Sequence, residues 1–354
     1  MEKIRLAVIF GGKSSEYPVS LHSAGSLLHQ INKDRYDLFL VGISKNGEWF
    51  AYHGDIDHIE HDTWNTPEYT KRCSLSCSAD DKGFLVLDKG SYTLEKVDCI
   101  FPVLHGKNGE DGTIQGLFEL SDIPYVGCGH MSSAVCMDKE MTHIVLDNAK
   151  VPCAPYLCVY EQTVNDYQAL YENAKEKLGL PIFIKPCNAG SSFGISRIES
   201  FDGFEEAMKH AFYHDGKGKV ILETTIDGFE IGCAVMGNKT VVTGSVDEIQ
   251  TSAPFFDYEG KYEMVDSQIY CPARIDKNLF ETAKSLAKRA YMALNCKGMT
   301  RVDMFVTSDH RIVVNEVNTI PGFTATSRYP SMMKEAGIPF PELIDRLVDL
   351  ALEK

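Results

Sequence analysis

Two stretches decide the fold, Thr300-Arg301-Val302-Asp303-Met304-Phe305-Val306 and Arg311-Ile312-Val313-Val314-Asn315-Glu316-Val317-Asn318. Both are short and rich in β-branched residues, which reads as two strands close in sequence. Each carries oxygen donors near its end, so Asp303, Glu316 and Asn318 can converge on one point. Glu316 and Asn318 are two apart and therefore share a strand face. A hard divalent ion carrying phosphate oxygens needs such an all-oxygen set. The blander reading is three solvated strand ends, and the apolar residues flanking the set weigh against it.

Working outward, Pro181-Ile-Phe-Ile-Lys185 is a further strand, followed by Pro-Cys-Asn-Ala-Gly190-Ser191-Ser192-Phe-Gly194. The strand delivers a lysine, and the small-residue loop lets backbone N–H groups approach an anion. The lysine precedes the glycines, so this is not a Walker A loop, and Gly11-Gly12-Lys13-Ser14 does not fit that spacing either. Together with the oxygen set it points to a nucleotide site. Glu223 and Glu230 bracket a Thr-Thr-Ile-Asp-Gly turn and are either surface charges or ribose ligands. Phe101-Pro-Val-Leu-His105-Gly-Lys-Asn-Gly-Glu110-Asp111-Gly sets a histidine at a strand end beside an acidic loop; alone, such a histidine is usually structural.

The N-terminal part has a strand–helix–strand rhythm: strands at Leu6 to Phe10, Leu38 to Ile43 and Cys99 to Leu104, with a helix at about 19–31. That reads as an open α/β domain, with residues 45–96 as hairpins and loops. Val220 to Glu223, Ile231 to Met236 and Thr240 to Ser245 have the spacing of one antiparallel sheet. A polar–aromatic loop at 252–272, a helix at Phe280 to Leu294 and a last helix at Pro339 to Glu353 complete the chain. The expected domains are 1–128, 129–218 and 219–354, an α/β class with an α+β C-terminal part.

The bulk numbers exclude some functions. A chain of 354 residues exceeds one ordinary core. Thirty-five bases against fifty acids leave a net charge of −15, which opposes nonspecific binding to nucleic acid or an anionic membrane. Eleven cysteines without a CxxC pair fit reduced thiols rather than a disulfide framework or a zinc site. No stretch approaches the ~20 apolar residues of a membrane span, and the N-terminal apolar run is too short for a signal sequence. A cytoplasmic protein is expected.

These pieces together resemble the ATP-grasp superfamily and, within it, the D-alanine–D-alanine ligase family, from residue 4 to about 350. The matching motifs are Gly-Gly-x-Ser-x-Glu16, His105-Gly-x-x-Gly-Glu-Asp-Gly-x-x-Gln-Gly, Met137-Asp-Lys139, Lys185-Pro-x-x-x-Gly-Ser-Ser, Arg301-Val-Asp303 and Asn315-Glu-x-Asn318-Thr-x-Pro-Gly322-Phe-Thr. The resemblance implies an ATP-grasp fold with an N-terminal preATP-grasp domain, ATP and two Mg²⁺ ions (or Mn²⁺), and a homodimer. It implies that Lys139, Lys185 and Ser192 hold phosphates, that Glu223, Thr224 and Ile226 line the adenine pocket, and that Glu230 lies near the ribose. Asp303, Glu316 and Asn318 would bind the ions. The carboxylate of a first D-alanine would attack the γ-phosphoryl group, giving an acyl phosphate and ADP, and a second amine would then attack the acyl carbon. Glu16 would pair with the first ammonium and His105 would position that substrate. Arg301 and the Gly322 N–H would stabilise the oxyanion, and Ser191 and Tyr262 would be linked beneath a lid.

Two departures bear on the second substrate. Ser327-Arg328 stands where makers of D-Ala–D-Ala carry an apolar residue after the serine, and Phe256 stands where they carry tyrosine. Both resemble the VanG- and VanC-type D-alanine–D-serine ligases of vancomycin resistance. The lid retains Lys261-Tyr262, unlike the D-lactate subgroup. Arg328, steered by Asp247, would supply a polar partner for a serine hydroxyl; the competing reading is an arginine that packs or pairs at the surface. D-serine is thus the expected second substrate, with a second D-alanine as the alternative. A nucleotide-binding regulator without turnover, or a dinucleotide-binding dehydrogenase, are the rival classes. The intact Glu16, Arg301, Asp303, Glu316 and Asn318 oppose the first, and the missing Gly-x-Gly-x-x-Gly opposes the second.

Overall fold

The computed structural model describes residues 2–190, 193–251 and 267–353. Its described strands form three sheets. The first is built from β1 (Ile4–Gly11), β2 (Tyr36–Ile43), β3 (Trp49–Tyr52), β4 (Thr70–Leu75), β5 (Gly83–Asp88), β6 (Ser91–Lys96) and β7 (Cys99–Val103) in the order β6-β5-β4-β3-β2-β1-β7. β1 pairs in parallel with β2 and β7, while β3 to β6 add antiparallel neighbours. Residues 45–96, expected as hairpins and loops, therefore extend the α/β sheet. α1 (Tyr17–Gln30) follows the first glycine turn, and the short α2 (Ile56–Glu60) packs on it.

α3 (Thr113–Leu120), α4 (His130–Met137) and α5 (Lys139–Asn148) lead into the second sheet. It comprises β8 (Tyr156–Tyr160), β9 (Ile182–Pro186), β10 (Ser196–Ile198) and β11 (Lys219–Thr224), backed by α6 (Tyr167–Leu178) and α7 (Phe204–Asp215). β11 is hydrogen-bonded to β8 and β9. The strand at Val220 to Glu223, expected to share a sheet with Ile231 to Met236 and Thr240 to Ser245, thus belongs to the central sheet. Short spacing signals antiparallel neighbours without naming the sheet they join.

The third sheet holds β12 (Gly228–Gly237), β13 (Val241–Thr251), β14 (Ser267–Tyr270), β15 (Gly298–Thr307) and β16 (Ile312–Asn318) in the order β14-β13-β12-β15-β16. β14 lies inside the stretch expected as loop at 252–272. α8 (Lys277–Ala293) covers one face of this sheet; α9 (Arg328–Glu335) and α10 (Phe340–Leu352) close the chain. Tyr329, Met332, Phe340 and Leu343 share one buried cluster with Leu6, Val8 and Phe101 of the first sheet. Burial of that apolar surface joins the two ends of the chain, bringing the Glu16 and His105 loops beside the ends of β15 and β16.

Candidate functional site

The third sheet aligns the chemistry by register. Asp247 opposes Gly232, Gly232 opposes Asp303, and Asp303 opposes Glu316, so these residues form a row across β13, β12, β15 and β16. Directly opposed residues share a face. The next row pairs Arg301 with Asn318. A bulge between Asp303 and Met304 accommodates Asn315, whose Oδ1 accepts from Lys185 Nζ at 3.3 Å. Strand alternation alone would send Asn315 to the other face, which is why sequence reading passed it over.

Asp303 is 1% exposed. Its carboxylate accepts from Arg301 Nε and Nη2, both at 2.8 Å, and from Asn318 Nδ2 at 2.8 Å. Arg328 reaches the same row from the start of α9. Its Nε and Nη2 donate to the two oxygens of Asp247 at 2.8 Å each, and its Nη1 donates to Glu230 at 3.1 Å and lies 3.3 Å from Asp303. The Arg328 side chain is 9% exposed and Asp247 is wholly buried. Burial works against the Arg328 charge, but Asp247 and Asp303 outweigh it and raise the guanidinium pKa. Gly232 makes room: a Cβ there would stand 2.4 Å from Arg328 Nη2 and 2.6 Å from an Asp247 oxygen.

A cavity of about 500 Å³ opens between the second and third sheets, bordered by Lys139, Lys185, Glu223, Thr224, Ile226 and Glu230. Lys185 Nζ is 2.5 Å from Glu223, and His143 Nε2 meets the other Glu223 oxygen at 2.9 Å. Burial favours the neutral acid, yet Lys185 and His143 hold Glu223 well below the usual carboxylate range. Thr224 turns its hydroxyl away, to Leu178 O. His143 and the Arg274–Glu248 pair also border this space. No motif in the sequence singles them out. His143 Nδ1 is buried with no hydrogen-bond partner among the described residues.

A smaller cavity of about 90 Å³ adjoins the first, with Lys139, Ala189, Gly190 and Glu316 bordering both. Glu16, Glu110, Arg301 and Asn318 complete its polar walls. Glu110 was legible only as part of a motif. Its oxygens accept from Gly106 N at 2.8 Å and Ile320 N at 3.0 Å, and burial, then the neighbouring Glu16, raise its pKa to about 8. His105 does not border the cavity. Burial lowers its pKa, so the ring is neutral, with Nδ1–H donating to Ile320 O at 2.9 Å. Nε2 then accepts from Ser23 Oγ at 3.0 Å, and Ser23 Oγ accepts from Phe323 N at 3.3 Å. His105 and Ser23 thereby anchor the segment containing Gly322. The Ser327 hydroxyl accepts from Thr324 N at 3.1 Å and sits 2.8 Å from Thr324 Oγ1, bracing that turn. Ser191, Ser192, Phe256, Lys261 and Tyr262 lie outside the described residues.

The donor set suits a divalent ion. Asp303, Glu316 and Asn318 supply oxygens only, beside two lysines able to hold phosphates. An ion on Asp303 would compete with the hydrogen bonds from Arg301 and Asn318. All eleven cysteines are free thiols, and no helix among the described residues is long and apolar enough to cross a membrane.

Comparison with known proteins supplies the family. The family model described as D-ala D-ala ligase N-terminus matches residues 5–128, and that described as D-ala D-ala ligase C-terminus matches residues 145–349. The D-alanine--D-alanine ligase of Acetivibrio thermocellus is 42% identical, covering 100% of this chain and 97% of that protein. The vancomycin/teicoplanin A-type resistance protein VanA of Enterococcus faecium is 40% identical over 100% of both chains. The crystal structure of the VanG D-Ala:D-Ser ligase from Enterococcus faecalis superposes with a TM-score of 0.91 at 44% identity, covering 99% of this chain and 100% of that one. The three-sheet architecture is thus the ATP-grasp fold of these ligases. The chain belongs to the D-alanine–D-alanine ligase family, ATP-dependent ligases that require a divalent metal.

Proposed function

We propose that this protein is a D-alanine–D-serine ligase, making the dipeptide for peptidoglycan precursors of the VanG type that support vancomycin resistance. The observation that carries this reading is Arg328, a buried guanidinium fixed by Asp247 and Glu230 where D-Ala–D-Ala makers carry an apolar residue. A site that offers a hydroxyl polar partners disfavours an analogue lacking it, and the partners here are the Arg328 guanidinium and the carboxylates already paired with it. Similarity to the VanG D-Ala:D-Ser ligase supports it, while the comparable identity of D-alanine–D-alanine ligases leaves the choice to the pocket.

In this reading ATP occupies the larger cavity, with Lys139 and Lys185 on its phosphates and Glu230 near the ribose. The first D-alanine occupies the smaller cavity. Glu16 pairs with its ammonium, and the protonated Glu110 beside it removes a competing negative charge. Magnesium held by Asp303, Glu316 and Asn318 would neutralise charge on the transferring phosphoryl group. The D-alanine carboxylate then becomes an acyl phosphate. Arg301 and the Gly322 N–H, braced through His105 and Ser23, stabilise the oxyanion when the D-serine amine attacks. Ser191, Tyr262, Lys261 and Phe256, to which the resemblance gives a part in the site and its lid, lie outside the described residues.

Phosphate release with ATP, Mg²⁺, D-alanine and each second amino acid tests the reading. A higher kcat/KM for D-serine than for D-alanine as second substrate is expected. The reverse order would make the protein an ordinary D-alanine–D-alanine ligase, and no amino-acid-dependent turnover would make it a nucleotide-binding regulator.

A further inference from the structure

We propose that Cys136 and Cys296 form an oxidation site that couples the smaller cavity to thiol chemistry: hydrogen peroxide converts them to a disulfide and shuts the ligase off. The sulfurs lie 3.9 Å apart, across the contact between the last turn of α4 and the segment joining α8 to β15. Two further observations make the pair more than packed apolar thiols. Cys136 borders the smaller cavity beside Glu16, Arg301 and Lys139, so a small oxidant entering by the substrate route comes up against this residue. Cys296 borders a separate surface cavity of about 440 Å³ that also carries Lys239, Lys288 and Lys297. The two buried residues thus stand between the substrate cavity and a surface cavity.

Roles follow from the hydrogen bonds. Cys296 keeps its proton, because it is hydrogen-bonded to Cys128 and Cys136 and buried. Cys128, whose S–H is directed at Lys297 O at 3.3 Å and Met299 O at 3.7 Å, borders neither the smaller cavity nor the surface cavity. Cys136, the member of the pair that borders the substrate cavity, is therefore the thiol that meets the oxidant first, and Cys296 behind it is the resolving thiol. The Cys136 sulfur attacks one peroxide oxygen, the O–O bond breaks, and the departing hydroxide takes up the thiol proton as water. Cys296 sulfur then attacks the sulfenic sulfur, the S–S bond forms, the S–O bond breaks, and a second water leaves with the Cys296 proton. Two thiols and one peroxide give one disulfide and two waters.

The consequence is mechanical. Bond formation draws the sulfurs from 3.9 Å to ~2.05 Å. Cys136 is followed directly by Met137, Asp138 and Lys139, which border the cavities or begin α5. A displacement of ~1 Å at a reacting centre costs ~100-fold in rate, so oxidised enzyme should lose about that much of its kcat/KM.

The experiment treats the whole protein with hydrogen peroxide, follows ligase turnover, and maps cysteines by mass spectrometry without reduction. Expected are a dithiothreitol-reversible loss of activity, a Cys136–Cys296 cross-linked peptide, and protection by D-alanine with ATP. Cys296→Ser should turn over normally before treatment, yield no cross-link, and leave a dimedone-reactive sulfenic acid on Cys136. Reversible inactivation of that variant equal to wild type, or a cross-link that maps to Cys128, overturns the proposal. Because Cys296→Ser alters a buried thiol, Cys296→Ala serves as a second variant and should behave identically.

Discussion

Replacing Arg328 by leucine tests the carboxylate clamp and the proposed second-substrate role of Arg328 together. The guanidinium satisfies both oxygens of wholly buried Asp247, one oxygen of Glu230 and part of Asp303. Glu230 borders the large cavity and can be rehydrated; Asp247 cannot. Leaving one such buried charge unpaired costs ~3–5 kcal/mol, and Arg328→Leu should destabilise the protein by about that much. Changing Asp247→Asn as well removes the stranded charge, so the double variant should be destabilised less than the sum of the singles, with a coupling of ~0.5–3 kcal/mol. Urea unfolding of the four proteins measures this, with each midpoint converted at a common slope. In parallel, Arg328→Leu should move the ratio of kcat/KM for D-serine over D-alanine toward D-alanine. A single variant within ~0.5 kcal/mol of wild type, the range of an ordinary surface substitution, would refute the clamp. An unchanged ratio would remove Arg328 from the specificity argument.

Other consequences follow from the same contacts. Gly232→Ala puts a Cβ 2.4 Å from Arg328 Nη2, so it should cost ~1–3 kcal/mol by overpacking and lower the D-serine preference, read by melting temperature and competition kinetics. Glu110 has a folded pKa near 8, above its unfolded value of about 4.3. Its stability contribution is therefore full below the unfolded value and is lost as pH rises through 8. In Glu110→Gln the fall in melting temperature from pH 5 to pH 8 should be smaller than in wild type. Glu223 shifts the other way, so its contribution is full above about pH 4.3 and is lost as pH falls toward its depressed folded value. The melting-temperature gap between wild type and Glu223→Gln should be widest near neutrality and close in acid; a constant gap would contradict the Lys185–His143 account.

Residues on a strand with a period of two were readable, because alternation alone puts Asp303, Glu316 and Asn318 on the face where register then aligns them. The lysine-bearing strand before the small-residue loop was readable for a similar reason. What escaped depended on contacts between distant segments. Asn315 needed the bulge, His143 needed the approach of α5 to β11, and β11 needed its choice of sheet. His105 shows the converse. Its motif marks it, and the structure adds that both ring nitrogens are hydrogen-bonded, to Ser23 and Ile320. Arg328 was legible as a departure from an apolar pattern, but its burial among Asp247, Glu230 and Asp303 required three strands to meet one helix.

Lys219 is the residue whose importance the sequence hides most completely, since nothing near it forms a motif. It stands at the start of β11, its side chain 12% exposed, and donates to both oxygens of Asp138 at 2.7 and 2.6 Å and to Glu140 at 2.9 Å. Burial opposes its charge, but Asp138 and Glu140 outweigh that and raise its pKa. Asp138 also caps α5 by accepting from Met141 N at 3.2 Å, and the next residue is Lys139, which borders both cavities. Lys219 therefore ties the central sheet to the turn that aims Lys139. Lys219→Met keeps the aliphatic stem but leaves two adjacent carboxylates facing each other. These carboxylates are 16% and 10% exposed, so part of the penalty is screened and a loss of ~1–3 kcal/mol follows, below that of a fully buried pair. The kinetic effect should fall on ATP: KM for ATP rises several-fold while kcat at saturating ATP falls less, because phosphate positioning loosens while the groups at Arg301 and Gly322 keep their partners. An unchanged KM for ATP in a folded Lys219→Met protein would show that Lys139 is held by its own bond to Ala189 O alone.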